Sequence, residues 1–135
     1  MYKLTVSDNQ LRVIGKALEW YFRTAMGQFF DYADEVALNG FEYDKNNPEN
    51  DKLFNEYINR RNDSQKLFEQ AYNIAAPDFS KRSKTPDIRT AIDLWHVIRY
   101  QWYLERPEPK DHYTVDAYPP RSWTDEPLMK LEKEE

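Results

Sequence analysis

Residues 85–106 read TPDIRTAIDLWHVIRYQWYLER. Thr85 stands where an N-cap belongs. Pro86 follows at the first helical position, where its missing N–H leaves no bond unmade and its fixed φ suits a helix. Asp87 complements the positive end of the helix dipole and Arg106 the negative end. Ile88, Ala91, Ile92, Trp95, Ile98 and Trp102 recur at three- and four-residue steps, with Leu94 and Val97 widening the stripe. That period predicts one amphipathic helix, ended by Pro107 and Pro109. Its other side carries Arg89, Asp93, His96, Arg99, Tyr100 and Tyr103. One reading of that side is a solvated face. The other is a binding face, because Arg, Tyr, His and Trp are the residue types recognition sites favour.

The chain has 135 residues, 40% of them hydrophobic and 16% aromatic, which suffices for one folded domain with a modest core. Three glycines leave few tight turns and favour helices over a sandwich. Upstream, Ser7 and Gln10 form a capping-box pattern ahead of Leu11, Ile14, Leu18, Tyr21/Phe22 and Ala25 in helical register. Gly27 kinks or ends that helix, and 29–38 resumes one, closed by Asn39-Gly40 as C-cap. Residues 41–51 read as an acidic loop without EF-hand spacing. Residues 49–75 read as one long helix with a polar middle turn, or as two; one is preferred. Pro77 stops it. Tyr2–Val6 alternates like a strand, and Tyr113–Val115 like a second that pairs with it. The fold class expected is therefore mainly α: three to four helices with a small two-stranded β-sheet joining the N-terminal strand to one after the last helix. Residues 1–121 form the domain and 122–135 an extended tail, anchored by Trp123 and Leu128 to the helical body or to a neighbouring subunit.

A net charge of −5 argues against general nucleic-acid binding, which needs a basic footprint. The charge is uneven: six cations against three acids over 81–106, and eight acids against two lysines over 30–56. The two segments either pair or leave a basic helix able to select a small anion. No cysteine is present, which excludes thiol chemistry and fits a reducing compartment. No signal peptide or membrane span is read, so a cytoplasmic, non-membrane protein is expected. His96 and His112 are the two histidines and fall on different elements, so no metal site is expected. No P-loop, GxSxG or GxGxxG occurs, so neither an enzyme nor a cofactor is expected.

Three binding features remain. Arg99, Tyr100, Tyr103 and Arg106 form a cationic aromatic cluster late on the central helix. Arg23 and Gln28 flank the Gly27 break, as a hydrogen-bonded brace or as ligand contacts. Tyr113, Tyr118, Arg121 and Trp123 sit on a proline-rich segment able to cover either. Guanidinium forks match phosphate and aromatic rings stack on bases. The candidate ligand-binding residues are therefore Arg23, Gln28, His96, Arg99, Tyr100, Trp102, Tyr103 and Arg106. Arg99, Arg23 and Arg106 would take phosphate, and Tyr103 or Trp102 would stack. The same residue types suit a protein partner, through the acidic 30–56 surface or the tail. The aromatic excess points to a homo-oligomer, a dimer or higher, with Trp95, Trp102 or Trp123 at its interface.

Two segments carry a resemblance. LEWYFRTAMGQFFDY (18–32) resembles the LYxRIGMGQFEEI stretch of a family of small proteins common in phages and prophages of Gram-positive bacteria. AIDLWHVIRYQWYLERPEPKDHYTVDAYPP (91–120) with TDEPLMKLE (124–132) resembles that family's AYDIxQVIRHQLxxxR, VDxxPP and EPLPKIE ending. Arg23, Gly27, Gln28, Asp93, Val97, Ile98, Arg99 and Asp116 occupy its recurring positions. This chain has Thr24-Ala25 in place of Ile-Gly, and Tyr100 where His is common. The resemblance implies a phage-type accessory protein of the bacterial host cytoplasm. Such a protein would act by binding, for example by sequestering a nucleotide signal of host immunity or by blocking a host protein.

Overall fold

The structure, a computed structural model, describes residues 3–38, 44–76 and 85–133. Among them are four α-helices: α1 (Asp8–Ala25), α2 (Phe30–Leu38), α3 (Asn50–Ala75) and α4 (Pro86–Glu105). A 3₁₀ turn, Val115–Ala117, follows. The chain divides into two compact units, Met1–Phe22 with Ser83–Glu135, and Arg23–Arg82.

In the first unit the Ser7 N–H donates to Gln10 Oε1 at 2.8 Å and the Gln10 N–H to Ser7 Oγ at 3.2 Å, so the capping box forms and starts α1. Gly15 then lets α1 approach α4: a Cβ there would sit 2.7 Å from Trp102 Cη2 and 3.2 Å from Ile98 Cγ2. Phe22 meets Trp95 edge-on at 5.2 Å. Along α4, Ile88, Ala91, Ile92, Val97 and Ile98 are buried. Thr85 is the N-cap with Pro86 behind it, but its side chain makes no capping bond. Asp93 and Tyr103, read from the sequence on the polar side, are buried too. The segment after α4 covers that side where it meets Asp93 and Arg99, while Arg89 stays exposed.

In the second unit α1 ends in a Schellman turn. Gln28 N–H donates to Arg23 O at 2.8 Å and Gly27 N–H to Thr24 O at 3.0 Å. Gly27 takes φ 77°, the left-handed position this turn requires. The Tyr72 ring lies against Gly27, and its hydroxyl donates to Ala25 O. Tyr72 and Phe68 close on Phe29 at 5.5 and 5.8 Å, joining α2 to α3 around buried Ala33, Ala37 and Tyr57. Tyr57 donates its hydroxyl to Asp34, which also pairs with Arg61 at 3.7 Å. Residues 50–75 are one helix.

The expected two-stranded sheet is absent among the described residues. Residues 3–7 carry no strand, and Tyr2 lies outside the described residues. At Tyr113–Val115 local bonding wins over pairing. The Tyr113 N–H turns back to Asp111 Oδ1 at 2.8 Å, and Arg99 takes the Val115 carbonyl at 3.0 Å, an acceptor a ladder would need. An isolated pair of short strands is marginal in any case. The expected C-cap at Asn39-Gly40, the stop at Pro77 and the basic run 81–84 lie outside the described residues.

Gly27→Ala should destabilise the protein by about 1–3 kcal/mol, because the new Cβ meets the Tyr72 ring at 2.7 Å and a positive φ strains any L side chain. Urea unfolding measures this; an unchanged midpoint would contradict the account of the turn.

Candidate functional site

The first unit holds the candidate site, built where the segment after α4 returns along the helix. Two attachments fix it. Upstream, Asp116 lies between two guanidinium groups, 3.4 Å from Arg99 Nε and 2.6 Å from Arg106 Nη2. Arg99 also donates to Val115 O at 3.0 Å. Downstream, the buried Asp93 carboxylate accepts from the Trp123 N–H at 2.8 Å, the Thr124 N–H at 3.2 Å and the Thr124 hydroxyl at 2.8 Å. Ser122 Oγ is 3.2 Å from the same carboxylate, but its single proton has a nearer acceptor in Thr124 O at 2.6 Å. Asp93 precedes Arg99 by six residues, so the segment runs antiparallel to α4, with attachments roughly 9 Å apart along the axis at 1.5 Å per residue.

Between the attachments the chain bridges the helix through Tyr118, Pro119, Pro120 and Arg121. Two consecutive prolines hold that bridge extended. Under it lies a pocket of about 480 Å³ lined by His96 and Arg99 of α4 and by Tyr118, Pro119, Pro120, Arg121 and Trp123. That volume falls in the range of small-molecule sites, roughly 300–1,000 Å³. The Arg99 guanidinium lies 4.5 Å over the Trp95 ring, held flat by ring, carboxylate and carbonyl together. Arg121 is exposed and pairs with no carboxylate among the described residues. His96 sits between Trp95 at 5.3 Å and Trp123 at 6.5 Å. Burial, and then the Arg99 charge, push its pKa below the ordinary histidine value, against a smaller opposite pull from Asp93. The pocket thus combines an oriented guanidinium, a free one, a neutral imidazole and an exposed indole.

Of the eight residues expected to bind ligand, His96 and Arg99 line this pocket. Arg106 is engaged by Asp116. Tyr103 is buried, with its hydroxyl 2.6 Å from His112 Nδ1 and Lys110 Nζ 5.0 Å over its ring. Tyr100 stacks on Tyr103 at 6.4 Å, and Trp102 packs on Gly15. Arg23 and Gln28 belong to the other unit, where Arg23 Nη1 donates to Gln28 Oε1 at 3.1 Å and Arg23 Nε pairs with Asp31 at 3.0 Å. They brace the turn at Gly27. Arg121, Tyr118 and Trp123 line the pocket but stood in the sequence as cover for a site on the helix. No periodic pattern marks them. The available signal was the Pro-Pro-Arg run two residues ahead of a tryptophan. Among the described residues no group of three or more His, Asp or Glu could hold a metal ion. No helix among them is long and apolar enough to cross a membrane.

His96 gives a pH signature. Its folded-state pKa lies below the ordinary value of 6.5, so in the window below 6.5 the unfolded chain binds more protons. Stability therefore falls as pH drops through that window and gains nothing from His96 above it. Replacing His96 with Gln should reduce this loss, which paired urea titrations of wild type and H96Q at about pH 7.5 and about pH 5.5 will read; parallel losses would contradict it.

No family model, curated protein or solved structure matches the chain.

Proposed function

We propose that this protein is a non-enzymatic binding protein that sequesters a small nucleotide-type anion in the pocket between α4 and the returning segment. The observation that carries this reading is the joint placement of Arg99, Arg121, His96 and Trp123 around one small-molecule-sized space. A guanidinium held flat by Asp116 and Trp95 is preorganised for a planar, charge-assisted contact with a phosphate or carboxylate. Asp116 offsets much of the Arg99 and Arg106 charge, so the unpaired Arg121 supplies the net attraction. Trp123 offers an exposed indole face, with a relative accessibility of 60%, on which a base can stack. The resemblance to phage and prophage accessory proteins fits this reading: a host nucleotide signal is the kind of ligand such a protein would withhold, in the host cytoplasm.

A second reading, inhibition of a host or phage protein, is favoured by a different observation. Tyr113, Tyr118 and Trp123 on the same segment are 93, 63 and 60% exposed, and tyrosine and tryptophan are frequent anchors of protein interfaces. Self-association through Trp123 belongs to the same reading, since Trp95 and Trp102 are engaged inside the first unit.

The test is a tryptophan-fluorescence and calorimetric titration with AMP, ADP, cyclic mono- and dinucleotides and ADP-ribose, followed by mass spectrometry of the recovered ligand. The expected result is stoichiometric binding of one class, with the ligand returned unchanged. Arg121→Ala should weaken binding by about ten- to a hundredfold, the worth of one charge-assisted contact at about 1.5–3 kcal/mol, with an unaltered melting curve. A converted product would make the protein an enzyme. Absence of binding across the panel, together with a host-protein complex lost in Tyr113→Ala, would transfer the assignment to the second reading.

A further inference from the structure

We propose that the segment 118–124 is a strap that opens and closes the pocket, and that Asp93 is its latch. The inference rests on the ligand reading above for its purpose, but not for its mechanics. Five of the seven lining residues, Tyr118 to Arg121 and Trp123, belong to the strap, so the pocket exists only while the strap lies on α4.

The two attachments differ in a way that selects which one opens. The upstream attachment uses Arg99, itself a wall of the pocket, together with Arg106, through ion pairs to Asp116 and a bond to Val115 O. Releasing it would scatter the cation the pocket is built around. The downstream attachment uses Asp93, which does not line the pocket. Releasing it lifts Trp123 and Arg121 away and leaves Arg99 oriented. Beyond the latch the ion pairs are exposed, Lys133 to Asp8 and Glu105 at 3.8 and 3.5 Å, and Leu128, Met129 and Leu131 are half-buried.

Asp93 also has the chemistry of a latch. Its carboxylate, 6% exposed in the middle of a helix, has no cation within ion-pair distance among the described residues. Two consecutive backbone N–H groups and a hydroxyl of the strap hydrate it instead. When the strap leaves, water replaces those donors, so both states satisfy the charge and neither is trapped. Asp93→Asn breaks the symmetry of this exchange. An amide presents one acceptor and two donors, so one side of it faces the donors of Trp123 or Thr124 without a partner. Asp93 is accordingly a positioning residue, acting on ligand through the strap.

Trypsin reads the latch directly, because the strap contains the Arg121–Ser122 bond. In ligand-free protein, Asp93→Asn should accelerate cleavage at this bond by about tenfold or more over wild type, one H-bonded attachment being worth about 1.4 kcal/mol or more. Cleavage after Arg89 inside α4 should stay slow in both. A second variant, Thr124→Val, removes the hydroxyl that donates to Asp93 and leaves both α4 and the Arg121–Ser122 bond untouched; it should accelerate the same cut even where Asp93→Asn fails to fold. Equal cleavage rates in wild type and in either folded variant would overturn the latch. If the latch variants cut faster and also release ADP or ADP-ribose faster, strap and ligand are coupled as proposed. Faster cutting with ligand dissociation unchanged would leave Asp93 a structural clamp and overturn its role as the gate. Absence of any nucleotide binding in wild type would instead remove the ligand reading, and cleavage would still decide the latch.

Discussion

A buried carboxylate on one side of α4 needs hydrogen-bond donors, and Asp93 finds them 30 and 31 residues later, at Trp123 and Thr124. Leaving such a group unsatisfied would cost several kcal/mol, so the return of the chain to α4 is coupled to burial of the helix. Asp116 imposes the complementary constraint in the opposite sense: Arg99 and Arg106 require a carboxylate, and the segment brings one. Together they convert a proline-rich stretch with little secondary structure of its own into a defined wall. The hydrophobic stripe of α4 meets α1 through Trp102 and Ile98 on Gly15 and Trp95 on Phe22. The polar side is therefore the one left to be covered, and it is covered by charge rather than by apolar burial.

The candidate site is a consequence of that covering. The prolines at 119 and 120 prevent the bridge from collapsing onto the helix, because a rigid extended pair cannot fold into the groove between two fixed ends. Space remains beneath it, and the groups that face this space are those α4 and the bridge happen to present: Arg99, His96, Arg121 and Trp123. The second unit follows a different logic. Its organising feature is the Schellman turn at Gly27, sealed by Tyr72 and braced by Arg23 with Gln28 and Asp31. There the residues that read equally as brace or ligand contact are engaged in holding a turn.

The contrast between these residues and those of the pocket explains what could be anticipated. Arg23 and Gln28 are five residues apart across a glycine, and a local interaction of that kind is bounded by short-range geometry. Arg99 and Asp116 are 17 residues apart and Asp93 and Thr124 31 apart, and the stretch 106–114 between them, with neither helix nor strand, transmits no register. The strand expected at Tyr113–Val115 failed for the same reason. Alternation describes what a segment would do beside a partner strand, whereas Asp111 and Arg99 offered its backbone closer bonds.

The sequence by itself determined the helices, because helical period, the Ser7/Gln10 capping box, Pro86 at the start of α4 and Gly27 at the end of α1 act over one or two turns. It also marked His96 and Arg99 as chemistry worth following. Only the tertiary structure decided that Asp93 and Tyr103 are buried, that Arg106 is held by Asp116, and that Arg121, Tyr118 and Trp123 complete a pocket with His96 and Arg99. The physical reason is range: a cap or a period is enforced by neighbours along the chain, while the pairing of a buried charge is settled by whichever distant donor the folded chain can bring to it.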